Sequence, residues 1–514
     1  MAVTQDATSG WYVPQNATEW TELLAGTGIP VPTRLWLMQD TSAPYVDALG
    51  GVSLTDEGSR HDNHQTVTGW TRKGQRSRGD AFLSNDSGFP DPSTHSQMAL
   101  TICIFETAAS PTETTPFLMG NQAAHQFSTR LETNGKLRAI GLTTAAQDSK
   151  VSVTHDVGQV VVYQSNVAAG VCRCVTKYEV VEVAIDPACP TGKGINFSGA
   201  AVANGSIIYL YNAAWDNADA EITSGQMRML EDLIRNGPLA GRSAIPRDAT
   251  SGWYCPVTVA DWFRLLEGTG IQIPDLLWLC QESSGTLLDS FGTGANGEVI
   301  GGTPTYANSV TGWTRKAVLC RQAQADTIRS SSGQWVDDSG LAVAYVVFPD
   351  GNHDGNPNNV ISWGPGYASQ VTANLKISTV PGQLELATHG DSMTGGSHDT
   401  VGFHPIILKA DKTNLVGVVQ TDLETLTHST AADNFSQLAL GGNNINFWLA
   451  SGCEYMFVAA WAGRRAEMDA THRADLLDRL QNGPPSTGGG LLIDSALLVS
   501  PLAGRNRIVG GFAC

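Results

Sequence analysis

The sequence predicts an all-β protein made of two tandem β-sandwiches, each carrying one or two short helices. Three observations predict it. Much of the first half of the 514-residue chain returns in the second: Asp6-Ala7-Thr8-Ser9-Gly10-Trp11-Tyr12 reappears as Asp248-Ala249-Thr250-Ser251-Gly252-Trp253-Tyr254, and Val67-Thr68-Gly69-Trp70-Thr71-Arg72-Lys73 reappears unchanged at 310–316. The offset drifts only from 242 (Asp6 to Asp248) to 246 (Trp215 to Trp461), a period too long for a solenoid and suited to a duplicated domain. Short apolar runs alternate with turn residues at the spacing of a sandwich, while helical periodicity is confined to the opening and closing segments of each copy.

Taken in order, each copy opens with a short strand (residues 10–13 and 252–255). A capped helix follows: Asn16 with Glu19, and Thr258 with Asp261, supply the caps. Trp20, Leu23 and Leu24 give the apolar face, repeated as Trp262, Leu265 and Leu266, and Gly26 and Gly268 end the helices. A strand over 35–40 (277–282) ends in an acid. Residues 98–105 and 341–348 are apolar at successive positions, as expected of strands covered on both faces. Further strands are expected over 159–163, 171–176, 405–408 and 415–420. Strands over 207–211 and 455–458 lead through Trp215 and Trp461 to closing helices over 227–235 and 466–480.

The expected units are residues 1–242, residues 243–484, and a tail over 485–514. In the tail, Ser486-Thr487-Gly488-Gly489-Gly490 is a flexible joint followed by the apolar stretch 491–500. Pro501-Leu502-Ala503-Gly504-Arg505 then repeats Pro238-Leu239-Ala240-Gly241-Arg242 of the linker between the copies. Such an apolar segment is expected to fold back on the second copy or to pair with a neighbouring chain.

A net charge of −18 with only 31 basic residues argues against a nucleic-acid groove. Charged residues make up 16%, below the roughly 25% of soluble proteins, and Gly, Ala, Thr, Ser and Asn fill the gap as in many secreted and virion proteins. Met1-Ala2-Val3-Thr4-Gln5-Asp6 has neither the basic nor the apolar region of a signal peptide, and no apolar run reaches the ~18 residues of a membrane span. The protein is therefore expected to be made in a cytoplasm and, if it works outside a cell, to leave by lysis or by a non-classical route. Of nine cysteines, Cys103, Cys255, Cys280 and Cys453 align with apolar positions of the other copy and are expected to be buried and reduced. Cys172 and Cys174 would share one face of a strand, with a bridge from either to Cys189 left open. Cys514 is the candidate for an intermolecular disulfide.

The closing half of the second copy resembles the laminin G-like branch of the concanavalin A-like jelly rolls. The resemblance rests on Gly402-Phe403-His404-Pro405-Ile406-Ile407-Leu408, on Leu438-Ala439-Leu440-Gly441-Gly442, and on Phe457-Val458-Ala459-Ala460-Trp461 through Glu467 and Leu476-Leu477. The first copy is a diverged version, with Gly158-Gln159-Val160-Val161-Val162 at the place of the His404 strand. The resemblance implies two tandem concanavalin A-like jelly-roll sandwiches. The opening Ser-Gly-Trp-Tyr and Leu-Trp-Leu-x-Gln segments are similar to modules of bacteriophage structural and tail-region proteins.

No pattern for catalysis stands out: Glu179, Glu182 and Asp186 lack the spacing of glycosidase carboxylates, and there is no nucleophile elbow, HExxH or P-loop. Laminin G-like modules often hold calcium, and Asp86 and Asp91 in one copy, with Asp350 and Asp354 in the other, sit in oxygen-rich loops that suit it. The same residues also build turns. His61-Asp62-Asn63-His64 has a metal-like look but reads better as a solvated loop. Trp11, Trp20, Trp36, Trp70 and Trp215 recur in the second copy and belong to a common core, whereas Trp335, Trp363 and Trp448 have no counterpart. Trp363 and Tyr367, a turn-borne pair, together with Trp335 are the candidate glycan contacts. The expected function is that of a non-enzymatic virion protein of a bacteriophage, a fibre, decoration or tail-region component. It would meet host glycans, other virion proteins, or copies of itself through the tail, without nucleic acid or membrane insertion. A secreted bacterial lectin-like adhesin is the alternative, and a polysaccharide hydrolase the outside one.

Overall fold

The computed structural model describes residues 2–484 apart from position 43 and segments 58–60, 79–80, 85–89, 93, 108–113, 120–126, 133, 142–145, 186–194, 200–205, 292–295, 321–325, 331–338, 349–357, 365–372, 378–383, 389–390, 395–401, 412–413, 415, 423, 430–445 and 450–452. Each copy forms two antiparallel sheets, one of eight strands and one of seven. In the first copy the larger sheet runs Glu179–Ala184, Val171–Thr176, Gly158–Asn166, Gln97–Phe105, Ser206–Asp216, Lys73–Arg78, His61–Thr66, with Arg34–Trp36 also paired to Ser206–Asp216. The second copy repeats this order, with Gly340–Phe348 at the place of Gln97–Phe105 and Cys453–Ala462 at the place of Ser206–Asp216.

Every residue of Gln97–Phe105 is buried, and a third layer explains why. One face of each larger sheet packs on the smaller sheet, around Trp36, Cys103 and Phe197 in the first copy and Trp278, Val346 and Tyr455 in the second. The other face is covered by helices: α1 (Ala17–Leu23) and α2 (Ser224–Asn236) in the first copy, α3 (Val259–Leu265) and α4 (Ala470–Asn482) in the second. The all-β sandwich is thus present with a helical cover on each larger sheet. Helix α2 begins three residues before its expected start, because Thr223 and Gln226 form a capping box. Helix α4 begins four residues late, because residues 463–466 turn as a separate 3-10 helix.

The repeated motifs share one task. Asp6 is 3% exposed; its carboxylate accepts from the Thr8 and Ser9 amides of its own turn and from the Thr71 and Arg72 amides 65 residues on. Arg72 Nη2 then donates to the Leu37 carbonyl at 2.7 Å, and Gln39 Nε2 donates to the Lys73 carbonyl at 2.7 Å. Asp248, Thr314, Arg315, Leu279, Gln281 and Lys316 repeat this interlock bond for bond. It binds the opening turn and the Leu-Trp-Leu-x-Gln strand to the Thr-Gly-Trp-Thr-Arg-Lys turn. The shared tryptophans of α1, α3 and the closing strands are core: Trp20 meets Trp215 edge-on at 5.6 Å and Trp262 meets Trp461 at 5.7 Å, all four fully buried.

Both closing helices end at glycines with φ +83°, Gly237 and Gly483. With ψ near 180°, that conformation is open only to glycine, and a Cβ at Gly237 would lie 2.5 Å from the Tyr12 ring. Gly237→Ala is expected to cost about 2–4 kcal/mol, from backbone strain and from displacement of the ring. Urea unfolding of the variant with an unchanged midpoint would contradict the assignment.

The two copies share one apolar cluster, which runs from Trp20, Leu230 and Leu233 to Val259, Trp262, Ile273 and Trp461. Helix α2 faces its own sheet on one side and the opening segment of the second copy on the other. Ser224 Oγ and the Gly225 amide both lie within hydrogen-bond reach of Gln272 Oε1, at 3.2 and 3.1 Å. Arg228, 1% exposed, donates through Nη1 to the Ile273 and Pro274 carbonyls and lies 5.0 Å over the Phe291 ring. Burial, the main cause, holds its guanidinium down to about 10, so it stays charged at neutral pH.

The seven described cysteines are all buried and free, including the four expected to be so. Cys172 and Cys174 project from Val171–Thr176 into the inter-sheet core together; Cys189 lies outside the described residues. Burial pushes the thiols of Cys172, Cys255 and Cys320 up to about 12. Peptide mapping after iodoacetamide treatment should find these seven unmodified in native protein and modified after denaturation; rapid native labelling at Cys103 would show an open core.

Candidate functional site

The nominated glycan and metal residues sit where the copies differ. Trp335, Tyr367, Asp86, Asp350, Asp354 and Cys514 lie outside the described residues. Trp363 is corrected: it lies within the strand Asn358–Gly364, paired with Ala373 and Phe447, and not in a turn. The β-branched residues before it, Val360 and Ile361, carry the ladder through Trp363 to Gly364 before Pro365 can break it. Asp91 is half-buried, and its carbonyl accepts from the Thr94 and His95 amides at 3.1 and 2.9 Å, which is turn-building. Among the described residues no group of three or more His, Cys, Asp or Glu is placed to hold a metal ion. The His61-Asp62-Asn63-His64 loop is also corrected. It is the start of the strand His61–Thr66, bulged at His64, whose Nε2 lies 3.0 Å from the Gln39 carbonyl oxygen. Glu182 pairs with Arg173 at 2.6 Å across adjacent strands, a structural role for that carboxylate.

Two polar places are built differently in the two copies. The first is His404, opposite Val346 in the larger sheet of the second copy; Gln159 takes the matching place, opposite Cys103, in the first. Both are at least nine-tenths buried. His404 Nδ1 lies 3.0 Å from the half-exposed Asp422 carboxylate, and the ring tilts against Phe348 at 5.7 Å. Among the described residues the buried Nε2 has no hydrogen-bond partner, so the ring is held through Nδ1 alone. The laminin G-like resemblance carried by Gly402 to Leu408 is the signal that singles out this residue in the sequence.

The second is a polar groove of about 480 Å³ between the C-terminal half of α4 and the turn after α3, with Thr269, Asp475, Asp478, Arg479, Asn482 and Gly483 among its walls. Asn482 Nδ2 donates to Asp478 Oδ1 at 2.7 Å. Sequence reasoning missed this groove. Its walls come from helix positions that look like an ordinary solvated face.

No protein-family model and no curated protein sequence matches the chain. Among solved structures, it is similar to the sialidase of Trypanosoma rangeli at 11% identity, over 84% of this chain and 81% of that one, with a TM-score of 0.33. A botulinum neurotoxin binding domain in complex with rat synaptotagmin II matches at 8% identity, over 82% and 98%, with a TM-score of 0.30. An alginate lyase of polysaccharide lyase family 7 matches 36% of this chain and 94% of its own at 8% identity, with a TM-score of 0.25. Enzymes and binding domains stand side by side among these, and likenesses this weak assign neither activity nor ligand.

Proposed function

We propose that the chain is a non-enzymatic binding protein of a bacteriophage particle, a fibre, decoration or tail-region component that presents its end loops to host glycans or to neighbouring subunits. The observation that supports this best is the shared core across α2 and α3, sealed by the buried Arg228. It makes two sandwiches into one display unit, and the residues repeated between the copies serve that scaffold. Recognition then falls to the segments that differ: Trp335, Trp363 and Tyr367 as glycan contacts, Asp86, Asp91, Asp350 and Asp354 as calcium ligands, and Cys514 as a covalent link to a neighbour. The net charge of −18 disfavours self-association of free protein before assembly.

The test combines a glycan array with immunogold labelling of phage particles that encode the chain. Labelled particles support the reading, and loss of glycan binding in Trp363→Ala with Tyr367→Ala locates the contact. Glycan binding by a protein absent from particles would replace the reading with a secreted adhesin. Release of reducing ends from host polysaccharide would overturn the non-enzymatic part.

A further inference from the structure

The groove at α4 has an occupied counterpart in the first copy. At the end of α2, Asn236 Nδ2 donates to Asp232 Oδ1 at 2.9 Å, as Asn482 does to Asp478. Both helices then end in Gly-Pro, at Gly237 and Gly483, with matching backbone angles. In the first copy, however, Arg242 closes the arrangement. Its guanidinium pairs with Asp232 and donates to the Gly237 carbonyl, and Nε donates to the Pro238 carbonyl at 3.2 Å. The segment that delivers it is Pro238-Leu239-Ala240-Gly241-Arg242, turned so that the Arg242 amide bonds the Leu239 carbonyl at 3.1 Å, with Gly241 at φ +87°. Asp232 is consequently 2% exposed.

In the second copy the position four residues after Pro484 is Gly488, so no arginine follows the helix directly. Asp478 keeps its Asn482 bond and is exposed, and no ion pair to it is found among the described residues; Arg479 lines the same groove but donates through Nη2 to the Glu267 carbonyl at 3.4 Å. The same five-residue sequence with its glycine and arginine, Pro501-Leu502-Ala503-Gly504-Arg505, stands further along the chain.

We propose that residues 501–505 of the same chain dock in the α4 groove, with Arg505 pairing with Asp478 and the Gly483 and Pro484 carbonyls as Arg242 does with Asp232, Gly237 and Pro238. Three arguments support this occupant over a second copy or an unrelated partner. The groove has the Asp–Asn pair and the Gly-Pro helix end that hold Arg242 in the first copy, and its two carboxylates, Asp475 and Asp478 against the single cation Arg479 among its described walls, leave it acidic toward Arg505 and Arg507. Gly504 supplies the left-handed residue that the turn requires, as Gly241 does. The intervening residues 485–500 number 16, and a flexible chain of that length has an end-to-end distance of about 20–24 Å. An intramolecular segment at that range acts at an effective concentration in the millimolar range, which a second chain does not match. Docking would hold both ends of the apolar stretch 491–500 against one helix end.

The experiment is amide hydrogen exchange on the full chain, read at residues 501–505, with charge reversals. Asp478→Arg and Arg505→Asp are each expected to raise exchange there by about tenfold, and the double variant Asp478→Arg with Arg505→Asp to restore most of the protection. The Arg505→Asp change lies outside the sandwiches, so loss of fold does not enter that arm. Wild-type exchange at the rate of an unstructured peptide, or protection indifferent to both reversals, overturns the proposal. Protection that disappears on dilution overturns the intramolecular occupant in favour of a second copy.

Discussion

Asp248→Ala is expected to destabilise the protein by about 3–5 kcal/mol, and Asp6→Ala by a similar amount. Each carboxylate receives its own turn's amides and two amides from a turn more than 60 residues away. Alanine leaves those donors half-buried with no acceptor, at about 1–3 kcal/mol for each group that water does not reach. It also releases the opening turn from the Thr-Gly-Trp-Thr-Arg-Lys turn, so the Trp11–Trp70 edge contact at 5.2 Å loses its frame in the first copy. Urea unfolding followed by tryptophan fluorescence reads the loss; a midpoint within error of wild type would show that water replaces the carboxylate without cost.

The same carboxylates set an acid limit. Burial by itself raises both, but hydrogen bonds from Ser9 and Thr71, and from Thr314, Ser251 and Arg315, outweigh it and bring each from 3.8 down to about 2. A carboxylate depressed on folding contributes stability that is fully present above its unfolded value and is lost as the pH falls through its folded value. The window here is from about 4 down to about 2, with about 2 kcal/mol at stake for each aspartate. Acid titration of Asp248→Asn against wild type measures it: the variant should start lower at pH 5 and show a shallower loss.

Arg228→Ala is expected to have the second large effect, about 2–4 kcal/mol, and to separate the unfolding of the two copies. Removing the guanidinium leaves the Ile273 and Pro274 carbonyls buried and opens a void beside Phe291. Calorimetry should then show two transitions where wild type shows one. Arg228→Met is informative beside it. Methionine keeps the apolar stem and removes the cost of a buried charge, so it should lose less than alanine. If both variants melt as one unit at the wild-type temperature, the apolar cluster alone couples the copies.

Much of the scaffold was legible because it is written locally. The Asn16 and Thr258 caps, the Trp20-Leu23-Leu24 stripe and the apolar run ending at Phe105 each follow from spacing within one element, and the structure places each as read. The apolar run 98–105 also implied two covered faces, although the second cover is the helical layer. Trp363 was misplaced because Gly364, Pro365 and Gly366 suggested a turn, while the strand reaches Gly364 before it ends. The candidate sites were least legible. His404 stood out only through a resemblance, and the α4 groove showed no sequence signal apart from the echo of residues 238–242 at 501–505.

By itself the sequence determined that the chain is duplicated, that both copies are β-sandwiches with capped helices, and that the shared tryptophans and the four thiols of Cys103, Cys255, Cys280 and Cys453 are core. Periodicity and repetition report whatever depends on neighbours along the chain. The tertiary structure alone decided what certain polar residues do, Asp6 with its repeat Asp248 and the unrepeated Arg228 among them. Asp6 looks like an ordinary turn residue until its carboxylate is seen to reach Thr71, and Arg228 looks like a solvated helix residue until the second copy closes over it. Their partners are backbone amides and carbonyls, which every residue carries, so no side-chain pattern could have announced them.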